Sequence, residues 1–307
     1  MAALVSAVFG LTLWPSAESF AAESAKVRKA ASSKAGKSRH ASARRSAKPV
    51  PAMPKLRSGS AAVVDLESGR ILFEKNADEV SPIASITKLM TAMVVLDSAA
   101  SLGDELEVTR DDVDREKYSR SRLPVGSRLT REDALLVALM ASENRAASVL
   151  ARNYPGGTEA FVAAMNAKAI ELGLHNTHFD DPTGLSSANV STASELVSLV
   201  SAAHRYPLIR EFSTTQRTTL QLGKRRVSFG NTNALVKNRY WEISLSKTGY
   251  IREAGKCLVM QAWVDGRPVA VILLDSYGRL TRLADAKRIR DWMRRETIAR
   301  GAGDLTS

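Results

Sequence analysis

Apolar positions divide this 307-residue chain into a loosely patterned start and a densely periodic body that begins near Ser60. Alternating apolar residues predict six strands, which are Ala61–Leu66, Ile71–Glu74, Arg217–Gln221, Ile243–Ser246, Lys256–Val264 and Pro268–Asp275. Helical spacing predicts six helices, which are Ser85–Ser98, Arg131–Leu139, Asn144–Arg152, Thr158–Leu172, Thr192–His204 and Leu280–Arg295. Strands at both ends of the body with helices between them predict an α/β fold of the α+β type, in which helices cover one antiparallel sheet.

The chain starts with an apolar stretch of about 13 residues. This stretch is too short to span a membrane as a helix, but it is typical of the apolar core of a secretory signal. Ser19 and Ala21 supply the small residues that a signal peptidase reads. We therefore predict a signal peptide over residues 1–21 and a periplasmic location.

Residues 22–59 consist mainly of Ala, Ser, Lys and Arg and contain no aromatic residue, which predicts a disordered basic linker. Of the net charge of +12, residues 1–60 supply +9. The linker is therefore a candidate for contact with an anionic surface. Because it has no aromatic platform for bases, we expect no nucleic-acid partner. The catalytic domain is predicted over residues 60–299, with a tail over 300–307.

Several kinds of site are disfavoured by the sequence. Cys257 is the one cysteine, so neither an intramolecular disulfide nor a cysteine-based zinc framework can form. His175 and His178 form an HxxH pair in a loop-like stretch, away from the helical setting of a zinc motif. No GxSxG sequence is present, which argues against a Ser-His-Asp hydrolase. We expect no metal and no cofactor.

Two SxxK sequences occur, Ser85–Lys88 and Ser244–Lys247. A lysine can activate a serine hydroxyl only in its neutral form, which burial and a nearby cation favour. Ser85 opens a predicted helix, so Lys88 lies one turn further on the same face. Ser244 lies in a predicted strand, where a residue three positions away points to the opposite face. Only Ser85 is therefore expected to be activated by its own lysine.

Two further motifs follow along the chain. Ser142-Glu143-Asn144 is an SxN sequence between two predicted helices, where Ser and Asn could also act only as helix caps. Lys247-Thr248-Gly249 is a KTG sequence, which we expect to end a strand. Its lysine and threonine offer positive charge and a hydroxyl to a carboxylate, and the missing side chain of its glycine would let a substrate lie close to the strand edge.

The three motifs, in this order, resemble the SxxK, SxN and KTG set of penicillin-binding proteins and serine β-lactamases. The longer strings ASITKLMTAMVVLD, LMASENRAA, DDPTGLSSAN, NTNALV and LSKTGYIREAGKCLVMQA resemble low-molecular-mass serine DD-peptidases, and most strongly their endopeptidase subgroup. The resemblance covers about residues 60–295.

This resemblance implies the serine β-lactamase/DD-peptidase fold, in which a sheet and a helical subdomain meet at the catalytic cleft. It implies that Ser85 is acylated, that Lys88 is its general base, and that Ser142 and Asn144 form the cleft wall. Lys247 and Thr248, with Gly249 beside them, would bind the substrate carboxylate. The backbone N–H groups of Ser85 and Tyr250 would form the oxyanion hole.

The implied function is a serine DD-endopeptidase that hydrolyses D-Ala–diaminopimelate cross-links in peptidoglycan and is inhibited by β-lactams. No Glu-x-x-x-Asn motif lies between Asn144 and Lys247, which disfavours a class A β-lactamase and predicts slow release of bound β-lactams. A D-Ala-D-Ala carboxypeptidase with the same residues, a non-hydrolytic β-lactam or muropeptide sensor, and a polyanion-binding protein acting through its basic tail remain alternatives.

Overall fold

A five-stranded antiparallel sheet, with strand order β2-β1-β11-β10-β9, forms the centre of the fold in the computed structural model. The structure describes residues 52–278 and 280–304. The predicted signal peptide (1–21), the predicted linker (22–59) up to residue 51 and the end of the predicted tail (300–307) lie outside the described residues. The strands are β1 Ser58–Asp65, β2 Ile71–Lys75, β3 Ser81–Pro82, β4 Glu105–Glu107, β5 Arg128–Thr130, β6 Val190–Ser191, β7 Arg217–Leu222, β8 Arg225–Gly230, β9 Glu242–Ile251, β10 Gly255–Val264 and β11 Arg267–Ser276.

Most of the helices lie between the first and last strands of this sheet along the chain. They are α1 Lys88–Asp97, α2 Arg131–Met140, α3 Asn144–Arg152, α4 Gly157–Glu171, α5 Ala193–His204, α6 Pro207–Thr214 and α7 Thr281–Asp304. A 3-10 helix, Ala84–Thr87, leads directly into α1. Among the described residues, no helix is both long and apolar enough to cross a membrane.

The predicted elements are confirmed in kind and differ mainly in extent. All six predicted strands and all six predicted helices are present. The helix α6, the strand β8 and the short strands β3–β6 were not predicted. The strand β9 runs to Ile251, so the KTG sequence lies inside it, and the prediction that this motif ends a strand is wrong. The strand β1 begins at Ser58, two residues before the expected domain start, and α7 extends nine residues beyond its predicted end.

Both faces of the central strands are buried, which explains why β10 and β11 are almost continuously apolar. Alternate residues of β10 point into different cores: Cys257 and Val259 pack with α1–α6, whereas Leu258 and Met260 pack against α7. The helix α5 contacts the sheet on the first face, and α7 contacts it on the second. The sheet is therefore a middle layer, and its two edge strands are β2 and β9.

A buried carboxylate ties the C-terminal helix to the first strand of the sheet. Asp285 on α7 is fully buried and accepts hydrogen bonds from the backbone N–H groups of Arg57 (2.9 Å) and Ser58 (2.8 Å). It also accepts the Ser58 hydroxyl at 2.8 Å and pairs with Arg288. Four donors thus compensate the cost of burying one charge.

We expect Asp285→Asn to lower the free energy of unfolding by about 2 to 4 kcal/mol, because an amide turns N–H groups toward donors that need an acceptor. The matched control is Asp291→Asn, since Asp291 lies on the same helix with a partly exposed side chain. Urea unfolding of both variants measures the difference. Equal midpoints for Asp285→Asn and the native chain would contradict this account.

Candidate active site

The turn that carries Ser85 lies between strand β9 and a loop over residues 180–189. A Cβ atom at Gly249 on β9 would lie 2.9 Å from the Ile83 carbonyl oxygen and 3.1 Å from the Ser85 nitrogen. A Cβ at Gly184 in the loop would collide with the Ala84 carbonyl, and Gly184 has a φ of 79°. Glycine is thus needed at both positions so that the turn can fit between them.

This packing gives a further reason for glycine at position 249. A Cβ there would meet the Ile83–Ser85 backbone, while the predicted approach of a substrate to this strand stays a prediction. Glycine is tolerated inside β9 because the strand there packs against the Ile83–Ser85 turn, which we call the nucleophile turn. Gly249 still pairs in register with Cys257 on β10.

Lys88 follows Ser85 by one turn and is buried, with 1% of its surface exposed. Its Nζ donates to the Ser85 Oγ at 2.9 Å and to the Asn144 Oδ1 at 2.7 Å, and it also donates to the Thr183 carbonyl. Burial lowers the pKa of Lys88 to about 8, although the carboxylates of Asp181 and Glu143 oppose this change. A substantial fraction of Lys88 is therefore neutral near physiological pH, as a general base requires.

The loop over residues 180–189 positions the Thr183 carbonyl that contacts Lys88. The Asp181 carboxylate accepts hydrogen bonds from the backbone N–H groups of Thr183, Gly184 (2.9 Å) and Ser186 (2.8 Å). Asn189 accepts from the Asp181 N–H at 3.0 Å and donates to the Thr87 hydroxyl at 3.0 Å. The loop is thereby fixed to the nucleophile turn through several hydrogen bonds.

Ser142 and Lys247 form a second pair on the other side of the cleft. Ser142 lies between α2 and α3 with a φ of 59°, a left-handed conformation that non-glycine residues rarely adopt. The Lys247 Nζ donates to the Ser142 Oγ at 2.8 Å and to the Thr248 carbonyl at 2.8 Å. Burial, with the charges of Lys88 and Arg282, holds the pKa of Lys247 well below its usual range. A bound carboxylate would supply the missing countercharge and favour its ammonium form.

The described residues enclose a cleft of about 520 Å³ at this edge of the sheet. Its lining residues are Ser85, Lys117, Ser119, Ser142, Asn144, Leu185, Thr232, Thr248, Gly249, Tyr250, Ile251, Arg252 and Arg282. Three of these residues are cationic and none is acidic, so the cleft attracts an anionic ligand. Lys88 and Lys247 contact lining residues from beneath.

All eight residues predicted for the site lie at or directly against this cleft. Ser85, Ser142, Asn144, Thr248, Gly249 and Tyr250 line it. The Tyr250 side chain is exposed, and the Lys256 ammonium lies 3.8 Å from the centre of its ring. The close approach of the Ser85 nitrogen to Gly249 brings the Ser85 N–H next to the residue that precedes Tyr250.

Several cleft residues were missed by the sequence reasoning. Arg282 on α7 reaches the cleft and donates to the Gly249 carbonyl at 3.2 Å and the Cys257 carbonyl at 3.3 Å. Thr232 contacts the Thr248 hydroxyl at 2.6 Å, and the Ser119 hydroxyl accepts from the Asn144 amide at 2.8 Å. Among the described residues, no group of three or more His, Cys, Asp or Glu side chains could hold a metal ion.

The second SxxK match has a different setting. Ser244 lies on β9, where its hydroxyl contacts the Nε2 of His204 at 3.1 Å, whereas Lys247 contacts Ser142. As expected from strand geometry, this serine is not paired with the lysine three positions away.

Comparison with known proteins agrees with this geometry. A protein-family model described as Peptidase S11, D-alanyl-D-alanine carboxypeptidase, matches residues 46–278. A D-alanyl-D-alanine endopeptidase from Pseudomonas aeruginosa is 49% identical over 246 residues, which are 80% of this chain and 79% of the relative. A D-alanyl-D-alanine endopeptidase from Escherichia coli strain K12 is 48% identical over 242 residues, with 78% of each chain covered.

A solved structure gives the same result for the fold. The crystal structure of the Streptomyces K15 DD-transpeptidase superimposes with a TM-score of 0.74 and 30% identity, covering 79% of this chain and 98% of that one. The predicted DD-peptidase fold and the resemblance to the endopeptidase subgroup are both confirmed. The chain therefore belongs to the peptidase S11 family and is a serine D-Ala-D-Ala peptidase.

Proposed function

We propose that this serine DD-peptidase is an endopeptidase that hydrolyses D-Ala–meso-diaminopimelate cross-links in peptidoglycan through an acyl-enzyme on Ser85. The observation that carries the proposal is the buried Lys88 amine, which lies 2.9 Å from the Ser85 Oγ and has a pKa lowered to about 8. The names of the relatives at 49% and 48% identity support the endopeptidase preference.

The proposed reaction begins with proton transfer from the Ser85 hydroxyl to neutral Lys88. The serine oxygen attacks the carbonyl of the D-Ala residue, and the backbone N–H groups of Ser85 and Tyr250 stabilise the resulting oxyanion. Lys247 and Thr248 bind the carboxylate of the leaving residue, while Asn144 holds Lys88 in place through its 2.7 Å contact.

The same residues would complete the cycle. The proton on Lys88 would reach the leaving nitrogen through Ser142, whose hydroxyl is held by Lys247 at 2.8 Å. A water molecule, with Lys88 again acting as base, would then hydrolyse the acyl-enzyme. A β-lactam would acylate Ser85 in the same way and leave slowly.

The pH dependence of acylation tests the assignment of Lys88. We expect the second-order rate of Ser85 labelling by a fluorescent penicillin to rise about tenfold from pH 6 to pH 7 and to level off above about pH 8, because only the neutral amine accepts a proton. Gel fluorescence after timed mixing measures this rate. A flat profile over this range would remove Lys88 from the role of base.

The variant Ser85→Ala serves as the control for that experiment. It should show no labelling while its unfolding temperature stays close to that of the native chain, since the Ser85 side chain is only partly buried. Labelling that persists in this variant would place the nucleophile elsewhere.

A D-Ala-D-Ala carboxypeptidase is the second candidate, because the matching family model carries that description. In one tube, a cross-linked tetrapeptide dimer and a pentapeptide monomer should distinguish the two reactions by mass spectrometry. We expect the dimer to be cleaved by the native chain and to persist with Ser85→Ala. Loss of only the terminal D-Ala from the monomer would establish the carboxypeptidase. If neither substrate changes while penicillin still acylates Ser85, the chain is a sensor.

We further propose a periplasmic location, with residues 1–21 as signal peptide and the basic linker in contact with an anionic cell-wall surface. Deleting residues 22–51 leaves β1 and its contacts to Asp285 intact. We expect this deletion to weaken binding to purified peptidoglycan sacculi at low salt and to leave hydrolysis of a soluble dimer within about twofold. Co-sedimentation at low and high salt measures binding. Unchanged sedimentation would exclude a role of the linker in this contact.

A further inference from the structure

A second groove of about 500 Å³ continues from the catalytic cleft. Ser142 and Thr232 line both spaces, so they form the passage between them. Beyond this passage the groove is lined by Arg120, Arg122, Glu143 and Phe229, among others. Its volume lies in the range of ordinary ligand sites.

The groove adjoins the part of the cleft that is proposed to hold the leaving residue. Thr232 contacts Thr248, one of the two side chains proposed to hold the carboxylate of the leaving residue. Glu253 follows Thr248 by five residues and pairs with Lys117 at 2.7 Å. This ion pair joins the two walls of the cleft. A peptide that extends from the leaving carboxylate past Thr232 would enter the groove.

The groove presents guanidinium groups that are partly fixed in position. The Arg122 Nη1 donates to the Ser228 carbonyl at 2.8 Å, and its guanidinium carbon lies 6.0 Å from the centre of the Phe229 ring. A guanidinium has five N–H donors, so this contact orients the group and leaves capacity for a carboxylate. Arg120 is exposed, and Arg217 extends the same basic surface beyond Arg122.

A buried carboxylate lies beneath the groove. Glu143 is 7% exposed, and its Oε2 accepts from the Arg122 backbone N–H at 3.3 Å. Its Oε1 is buried and accepts no hydrogen bond from the described residues. This oxygen is closed to a ligand, so the exposed Arg120 and Arg122 are the charged groups that a ligand in the groove can contact.

We propose that this groove is the binding site for the leaving peptide strand of a cross-linked substrate, with the carboxylates of that strand on Arg120 and Arg122. The inference rests on the proposed endopeptidase function. A leaving D-Ala ends at the carboxylate held by Lys247 and Thr248 and does not enter the groove. The leaving strand of a cross-link continues past that point and carries further carboxylates. The groove thus selects the cross-linked substrate over the D-Ala-D-Ala terminus.

Arg120→Glu in a Ser85→Ala background tests this site by binding, independently of turnover. The probes are a purified cross-linked tetrapeptide dimer and a pentapeptide monomer, with Kd measured by isothermal titration calorimetry. We expect the ratio of the dimer Kd to the monomer Kd to rise at least about fivefold, the effect of losing one charge contact and gaining a repulsion. Arg120→Lys keeps the positive charge, so its ratio should stay close to that of the parent.

The matched control is Arg115→Glu, which reverses an exposed arginine in the same loop that does not line either space. Its ratio should equal that of the parent. Substitution of Glu143 is unsuitable because that carboxylate also acts on Lys88. An unchanged ratio in Arg120→Glu, or equal weakening of both probes, would overturn the proposal. Failure of the native chain to cleave the dimer would overturn the endopeptidase function instead, and the binding ratio would still decide whether the groove binds the strand.

Discussion

The buried position of Lys88 is the constraint on which the rest of the site depends. A lysine in water is protonated at neutral pH and cannot take a proton from serine. Lowering its pKa from 10.5 to about 8 costs the folded state about 3 kcal/mol at neutral pH, because burial disfavours the charged form. The core around α1 must supply that free energy. The site also gives the amine three oxygen partners, from Ser85, Asn144 and Thr183, so that neither form is left without hydrogen bonds.

Those three oxygen atoms come from distant parts of the chain, and this explains why the fold brings so many elements to one edge of the sheet. The nucleophile turn, the start of α3 and the loop over residues 180–189 converge on Lys88, while β9 brings Lys247 to Ser142 from the opposite side. Two glycines make this convergence possible, since a Cβ at Gly184 or Gly249 would occupy the space of the Ala84–Ser85 backbone. The packing of the nucleophile turn and the placement of Ser85 beside Lys88 therefore both require glycine at positions 184 and 249.

Sequence reasoning found the side chains that carry motifs and missed the groups that do not. Ser85, Ser142 and Lys247 were found because their spacing is informative even without structure. The contribution of Thr183 is a backbone carbonyl, which any residue could supply, so no side-chain pattern reveals it. Arg282 lies 35 residues after Lys247 on a helix, and only the packing of α7 on the sheet places it at the cleft.

Two differences between the predicted and the observed strands also have physical reasons. The strands β7 and β8 are separated by Gly223 and Lys224. A two-residue spacer that contains glycine is a hairpin signal, and it predicts β8 from the sequence. The KTG sequence was expected to end a strand, but β9 continues two residues beyond Gly249. Glycine usually weakens the interior of a strand, but at Gly249 the close approach of the nucleophile turn requires it.

The residues that perform acylation do not by themselves determine which peptide is cleaved. A D-Ala-D-Ala terminus and a D-Ala–diaminopimelate cross-link both place a carboxylate beside the scissile amide, so the proposed roles of Lys247 and Thr248 fit either substrate. The difference between the substrates begins beyond that carboxylate, where one ends and the other continues. The proposed groove places the residues that would discriminate past Thr232, on the loop that carries Arg120 and Arg122 and on the β7–β8 hairpin. Under this proposal catalysis and selectivity belong to different segments of the chain, so substitutions in the second would alter substrate choice while the Ser85–Lys88 pair keeps its geometry.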